Sequence, residues 1–305
     1  MNRLRMKKIK RYWILYAMLV PGIVYLIINN YLPMFGLVIA FKKMDFSVGI
    51  WDSAWNGLDN FKFLFHSTDG WTMTRNTLLY NLAFIILGNL FSLLTAVVMD
   101  AVRKRFQQFS QIVILIPHLL SYVILSYITL AFLSPSSGFI NHSILGPLGI
   151  EAVEWYTNPG PWPFIITFVY LWISFGYSSI LYYSTLLGID KGLYEAAVID
   201  GAGIWQQIKH ITLPGMKHTI ITLVLLGVGR IFYSDFGLFY QVPMNSGMLF
   251  PTTQTIDTYV FRALLEQNSF SRSAAAGFVQ SILGFILVLV ANRIVQKVDN
   301  DSALF

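Results

Sequence analysis

A chain of 305 residues with 55% hydrophobic, 16% aromatic and only 12% charged residues cannot cover a water-facing surface, because soluble domains carry about a quarter charged residues. Its mean hydropathy of +0.60 points to lipid as solvent, and the absence of cysteine excludes a disulfide framework, thiolate metal sites and cysteine nucleophiles. The net charge of +6 argues against a nucleic-acid partner, since it gathers at the ends of apolar stretches, as in membrane proteins with basic cytoplasmic ends.

A helix needs roughly 20 mostly apolar residues to cross the hydrocarbon core, and six stretches qualify. The first, 13–31, follows a tail over 1–12 that holds Arg3, Arg5, Lys7, Lys8, Lys10 and Arg11. It is too long for a cleaved leader and no small-residue cleavage site follows, so it reads as a retained anchor. The connection over 33–75 carries Trp51, Trp55 and Trp71, read as interfacial anchors. The second stretch, 77–99, leads to Arg103, Lys104 and Arg105. The third, 112–133, contains His118 after Pro117, read as an interhelical hydrogen-bonder. A connection bearing Trp155 and Trp162 precedes the fourth, 164–187; Lys191, Lys209 and Lys217 follow it. The fifth, 220–240, encloses Arg230 and Asp235, and the sixth, 274–292, ends at Arg293 and Lys297. Fourteen of the 21 Lys and Arg residues thus lie on one side, which predicts cytoplasmic termini by the positive-inside rule. The expected organisation is a tail over 1–12, an all-α permease domain over 13–294 and a second tail over 295–305. Glycines and prolines inside the stretches, such as Pro21, Gly88 and Gly176, are tolerated in membrane helices and imply no special role.

Between the fourth and fifth stretches, residues 190–215 carry a different signal. No helix breaker interrupts 193–199, and Ala196 and Ala197 are strong helix formers. Gly201 and Gly203 permit a sharp turn. A second helical stretch is expected over 204–210, with Pro214 ending it or kinking it into the fifth crossing. The product is a helix-turn-helix elbow. Glu195 and Asp200 offer acceptors, and Tyr194, Ile199 and Trp205 offer apolar knobs, a shape that fills a groove on a soluble partner and transmits a rigid-body push. Composition alone favours a plain linker over such a handle.

The spacing changes that balance. Glu195-Ala196-Ala197, three residues, Gly201, nine residues, then Ile211-Thr212-Leu213-Pro214 resembles the EAA signature of bacterial binding-protein-dependent ABC import permeases. The segments Pro33-Met34-Phe35-Gly36, Ile116-Pro117-His118, Phe236-Gly237-Leu238-Phe239-Tyr240 and Ile256-Asp257-Thr258-Tyr259-Val260 are similar to the LplB-like carbohydrate permeases within that family. The resemblance implies a type I importer fold of six transmembrane helices with cytoplasmic coupling helices, in a bacterial cell membrane. It implies that Tyr194, Glu195, Ala196, Ala197, Asp200, Gly201, Ala202, Trp205, Ile211, Leu213 and Pro214 couple to an ATPase. The implied partners are a second, usually different permease, two ATPase subunits, an extracytoplasmic solute-binding protein and an oligosaccharide cargo. No Gly-x-x-x-x-Gly-Lys-Ser/Thr phosphate loop occurs, so ATP and Mg²⁺ belong to the ATPase and this chain is expected to bind no cofactor.

Charge inside a membrane costs about 2.5–3.5 kcal/mol on insertion scales and so points to function. Arg230 and Tyr233 are expected to face the path if the fifth stretch is a helix, with Asp235 about 140° round from Arg230. Trp172, Tyr177, Asn81 and Asn89 are further candidates, since aromatic faces suit pyranose rings and amides suit hydroxyls. An ion-coupled secondary transporter would show buried acidic or His relays and a repeated half; a single buried acid and no repeat disfavour it. No nucleophile, paired-carboxylate or metal-ligand constellation appears, so catalytic and metal-binding residues are expected to be absent. A permease for a non-sugar solute stays open.

Overall fold

The computed structural model describes residues 2–298, with side chains over 12–297; of the tails expected from the sequence, 2–12 form the start of the first helix, 295–298 the end of the last, and 299–305 lie outside the described residues. No β-strand occurs among them, and an isolated bridge between Lys42 and Trp55 is the extended pairing seen. The all-α expectation holds. Four helices are long and apolar enough to cross a membrane, and the crossings rise to as many as six if each of two bent helix pairs is one span.

Helix α1 (Asn2–Leu26) continues through a π turn at Ile27–Tyr31 and a 3₁₀ segment at Phe35–Phe41, making one apolar rod over Tyr12–Phe41. Helix α2 (Thr68–Ala101) starts at Ser67, whose hydroxyl accepts the Gly70 N–H at 3.0 Å, as an N-cap should. It packs along α5 (Trp162–Leu186). Their shared core holds Tyr80, Phe84, Trp162, Ile166 and Val169, all buried. The last long helix, α11 (Phe270–Val298), closes the bundle against the 3₁₀ segment Phe35–Phe41.

The third crossing corrects the sequence reading. The run 112–133 is not one rod. Helix α3 (Lys104–Leu115) passes into a 3₁₀ turn at Pro117–Leu119 and meets α4 (Tyr122–Leu133) at 94°. Pro117 lacks the N–H that would continue the ladder, and Ser121, in extended conformation, accepts the Ile124 N–H at 3.3 Å. His118 stands at the break and its Nδ1 bonds the Ile173 carbonyl of α5 at 3.1 Å, an interhelical bond as expected. Gly176 also departs from expectation. A Cβ there would lie 1.9 Å from the Ile114 carbonyl oxygen, so the bare glycine is what lets α3 cross α5.

After α5 come the elbow helices α6 (Lys191–Ile199) and α7 (Ile204–Gln207) and then α8 (Lys217–Gly229). At about 20 Å long, α8 falls short of a hydrocarbon core of about 30 Å. It stops at Gly229; residues 230–235 are unwound, and α9 (Phe236–Gln241) resumes the path. The fifth crossing is therefore broken, where the sequence suggested a continuous helix over 220–240. A connection containing α10 (Ile256–Leu265) leads to α11.

Candidate functional site

The elbow forms from strictly local bonds. Asp190 caps α6 by accepting the Gly192 N–H at 2.9 Å, and Gly201 turns the chain with φ +77°, a conformation open to glycine at little cost. The Ala202 N–H then reaches back to the Ala197 carbonyl at 2.8 Å, and the Gln206 side chain accepts the Gly203 N–H at 2.8 Å, fixing the start of α7. The helical stretch expected over 204–210 runs further, through a π turn at Ile208–Thr212 to Leu213–Gly215. It then bends by 62° into α8, where Pro214 forecast a kink.

The root of the elbow is anchored. Thr212 and Met216 are buried, and Met216 packs with Ala96, Met99, Tyr182, Tyr183 and Leu186. Tyr194 and Thr212 join their hydroxyls at 2.9 Å, strapping α6 to the π turn. The tip is bare. Ile199, Ile204 and Trp205 are 85%, 75% and 80% exposed, and the Glu195 and Asp200 carboxylates are exposed with no partner among the described residues. Burying one such aliphatic side chain fully is worth about 1.5–3 kcal/mol, so a rigid tip of this kind favours docking into an apolar groove. Of the other motif residues, Ala196, Gly201 and Pro214 are exposed, while Ala197, Ala202, Ile211 and Leu213 are half-buried along the elbow.

The unwound segment 230–235 is built in the opposite way. Beyond local turn bonds such as the Tyr233 N–H to the Arg230 carbonyl at 2.8 Å, its backbone groups are bonded by side chains from three other helices. Asn81 of α2 donates to the Ile231 and Tyr233 carbonyls at 2.9 and 3.1 Å. Gln280 of α11 donates to the Phe232 carbonyl at 2.7 Å. Asp257 of α10 accepts the Ser234 N–H at 2.7 Å and its hydroxyl at 2.8 Å. Non-helical backbone survives at membrane depth only where it is satisfied in this manner or lines a cavity. Here both conditions hold.

That cavity is about 240 Å³ and is lined by Asn81, Phe84, Ile85, Tyr170, Gly227, Arg230, Tyr233, Ser234 and Asp235. Arg230 is exposed to it, and its guanidinium has neither hydrogen bond nor ion pair among the described residues. Asp235 is committed elsewhere. It accepts from the Tyr122 hydroxyl and caps α9 through the Leu238 N–H at 3.3 Å. Tyr233 donates to Ser281 at 3.2 Å. The helical-wheel separation of Arg230 and Asp235 does not apply, since neither lies on a helix.

The structure thus gathers Arg230, Tyr233, Asp235 and Asn81 at one cavity, though the Asn81 amide N–H groups are spent on backbone. It does not bring the other candidates there. Asn89 accepts from the Tyr182 hydroxyl at 2.6 Å across α2 and α5. Tyr177 stacks on His118 with ring centroids 5.0 Å apart. Trp172 lines a separate, apolar cavity of about 460 Å³ with Leu125, Phe132 and Phe168. Tyr170, which stacks on Phe84 at 3.7 Å between centroids, lines the polar cavity and escaped the sequence reading, because nothing in a single apolar run separates it from Trp172. Asp257 and Gln280 escaped it too. Asp257 stands in a motif noted for its resemblance, without any role attached.

The family model described as "Binding-protein-dependent transport system inner membrane component" matches residues 88–300. Protein LplB of Bacillus subtilis is 34% identical over 97% of this chain and 93% of its own length. The polygalacturonan/rhamnogalacturonan transport system permease protein YteP of the same organism is 34% identical over 99% of this chain and 93% of its own. A chain of a bacterial ABC transporter involved in the import of the acidic polysaccharide alginate superposes with a TM-score of 0.89 at 32% identity, covering 98% of this chain and 100% of that one. A second structure of the alginate transporter, in complex with an alginate pentasaccharide-bound periplasmic protein, gives 0.87 at 31% identity over 96% and 97%. The architecture is that of a type I ABC importer permease.

Proposed function

This chain belongs to the family of binding-protein-dependent transport system inner membrane components, and from that premise we propose that its cavity at 230–235 lies on the path of an acidic oligosaccharide. The chain is a membrane permease subunit of a carbohydrate ABC importer and not an enzyme; ATP hydrolysis is carried by a separate ATPase. The observation that carries the cargo reading is Arg230, a cation without hydrogen bond or ion pair among the described residues, on unwound backbone facing a polar cavity that Asp235 also lines. A guanidinium forms paired hydrogen bonds with a carboxylate, and relatives are named for the transport of polygalacturonan/rhamnogalacturonan and for the import of the acidic polysaccharide alginate. The half-buried Tyr170 ring beside it, stacked on the buried Phe84, offers its remaining apolar surface to the sugar ring.

The elbow is the proposed grip on the motor. Two ATPase subunits loaded with ATP and Mg²⁺ close around the exposed Ile199, Ile204 and Trp205 knobs of this chain and the matching elbow of a second permease. Because Met216 roots the elbow in the bundle, closure displaces the bundle as a rigid body and turns the cavity outward. An extracytoplasmic binding protein then delivers cargo from the opposite face. This arrangement places the permease domain over 13–294 in a bacterial cell membrane with both termini cytoplasmic, as the distribution of Lys and Arg supports.

The test is Arg230→Ala in the assembled transporter, with uptake of uronate and neutral oligosaccharides measured side by side. Selective loss of uronate uptake is the expected result. Full uptake by a normally assembled variant removes Arg230 from the path, and equal loss for both cargoes removes the acidic assignment.

A further inference from the structure

The unwound segment that presents Arg230 is held in part by one carboxylate, beside the Asn81 and Gln280 amides. Asp257 projects from α10, in the connection after α9, and receives only neutral donors: the Ser234 N–H at 2.7 Å, the Ser234 hydroxyl at 2.8 Å and the Gln280 amide at 3.1 Å on both oxygens. No cation pairs with it among the described residues. The neighbouring bonds reinforce this grip. The Ser234 hydroxyl also donates to Thr255 at 2.7 Å, and Gln280, itself buried, bridges Asp257 to the Phe232 carbonyl. A carboxylate that accepts several charge-assisted hydrogen bonds fixes its donors more firmly than a neutral acceptor.

We propose that Asp257 is a positioning residue for translocation: by clamping Ser234 and Gln280 it sets the conformation of residues 230–235 and so aims Arg230 into the cavity. The proposal rests on the reading of that cavity as part of the cargo path, but its geometry stands apart from it. Asp257 does not line the cavity; it acts through the backbone between Phe232 and Asp235. Without the clamp, the Ser234 N–H loses its acceptor and Gln280 loses half of its bridge. The segment then samples conformations in which position 230 turns away.

Because the chain contains no cysteine, one introduced thiol reports this directly. Arg230→Cys is placed in the complete transporter, assembled with its partner permease, ATPase and binding protein, and its reaction rate with a water-soluble thiol reagent is measured with and without Asp257→Ala. The expected result is a change of about tenfold or more with Asp257→Ala and an intermediate change with Asp257→Asn, which keeps one acceptor oxygen. In the chain retaining Arg230, Asp257→Ala is expected to cut maximal uptake about tenfold, while the half-saturating concentration of loaded binding protein stays within twofold. Should Asp257→Ala fail to assemble, Ser234→Ala removes the hydroxyl alone and is expected to shift labelling at position 230 by a smaller factor. An unchanged labelling rate in the assembled variants overturns the proposal. A changed rate together with full uptake by Arg230→Ala upholds the positioning role and overturns the path reading instead.

Discussion

The elbow and the unwound segment are both breaks in helical structure, yet they are made by opposite means. At the elbow, every determinant lies within 190–216: a cap at Asp190, a left-handed glycine at 201, a capping glutamine at 206 and a strap from Tyr194 to Thr212. The segment 230–235 keeps a few local turn bonds, the Tyr233 N–H to the Arg230 carbonyl at 2.8 Å among them, and adds Asn81, Asp257 and Gln280 from three other helices. The first design leaves apolar side chains bare for another protein. The second hides backbone polarity so that a few polar side chains face an internal space. A handle must hold its shape when pulled, which local bonds secure. A path segment must respond to the packing of the whole bundle, which distributed bonds allow.

Substitutions can sharpen that contrast. The largest effect is expected at Gly201, where a β-branched residue at φ +77° is strained by about 1–3 kcal/mol and reshapes the tip as well. Gly201→Val should lower uptake and recovery of the ATPase on purification by about a hundredfold or more, with the permease still in the membrane. Arg230→Ala comes next. Hydrogen bonds to charged groups are worth about 1.5–3 kcal/mol, so uronate uptake should fall about tenfold to a hundredfold while ATPase recovery is unchanged. If Arg230→Ala releases the ATPase, the two regions are not separable and the comparison breaks.

Gly176→Ala probes neither region but the frame between them. A Cβ would meet the Ile114 carbonyl at 1.9 Å, and overpacking of this kind costs about 1–3 kcal/mol. The yield of folded permease and its thermal midpoint should both drop, with uptake per folded molecule largely retained. Tyr194→Phe is the mildest. It removes one hydroxyl pair with Thr212, worth about 1 kcal/mol, so ATPase recovery should weaken severalfold and be restored by a higher ATPase concentration.

The contrast also explains what could be read in advance. Six crossings follow from apolar length alone, because lipid demands it, and the elbow is legible because its parts are contiguous. The two breaks within crossings are hidden, since Pro and Gly are ordinary in membrane helices. A subtler sign was nevertheless present. Ser121 and Asp235 are cap-type residues set inside apolar runs, and each caps the helix that restarts after a break. Asp235, read as an intramembrane charge of the path, is first of all an N-cap. Asp257 and Gln280 could not be joined to residue 234 from the sequence, because only the packing of α10 and α11 brings them there.

The account depends most on which face of the membrane bears the elbow and on what holds it. Ile199, the most exposed of its apolar knobs, can be replaced by the only cysteine of the chain and probed in intact cells and in the purified transporter. The account predicts that Ile199→Cys is shielded from an impermeant thiol reagent added outside and cross-links to the ATPase subunit, with a yield that depends on ATP. Labelling from outside, or free labelling in the presence of the ATPase with no cross-link, would contradict it.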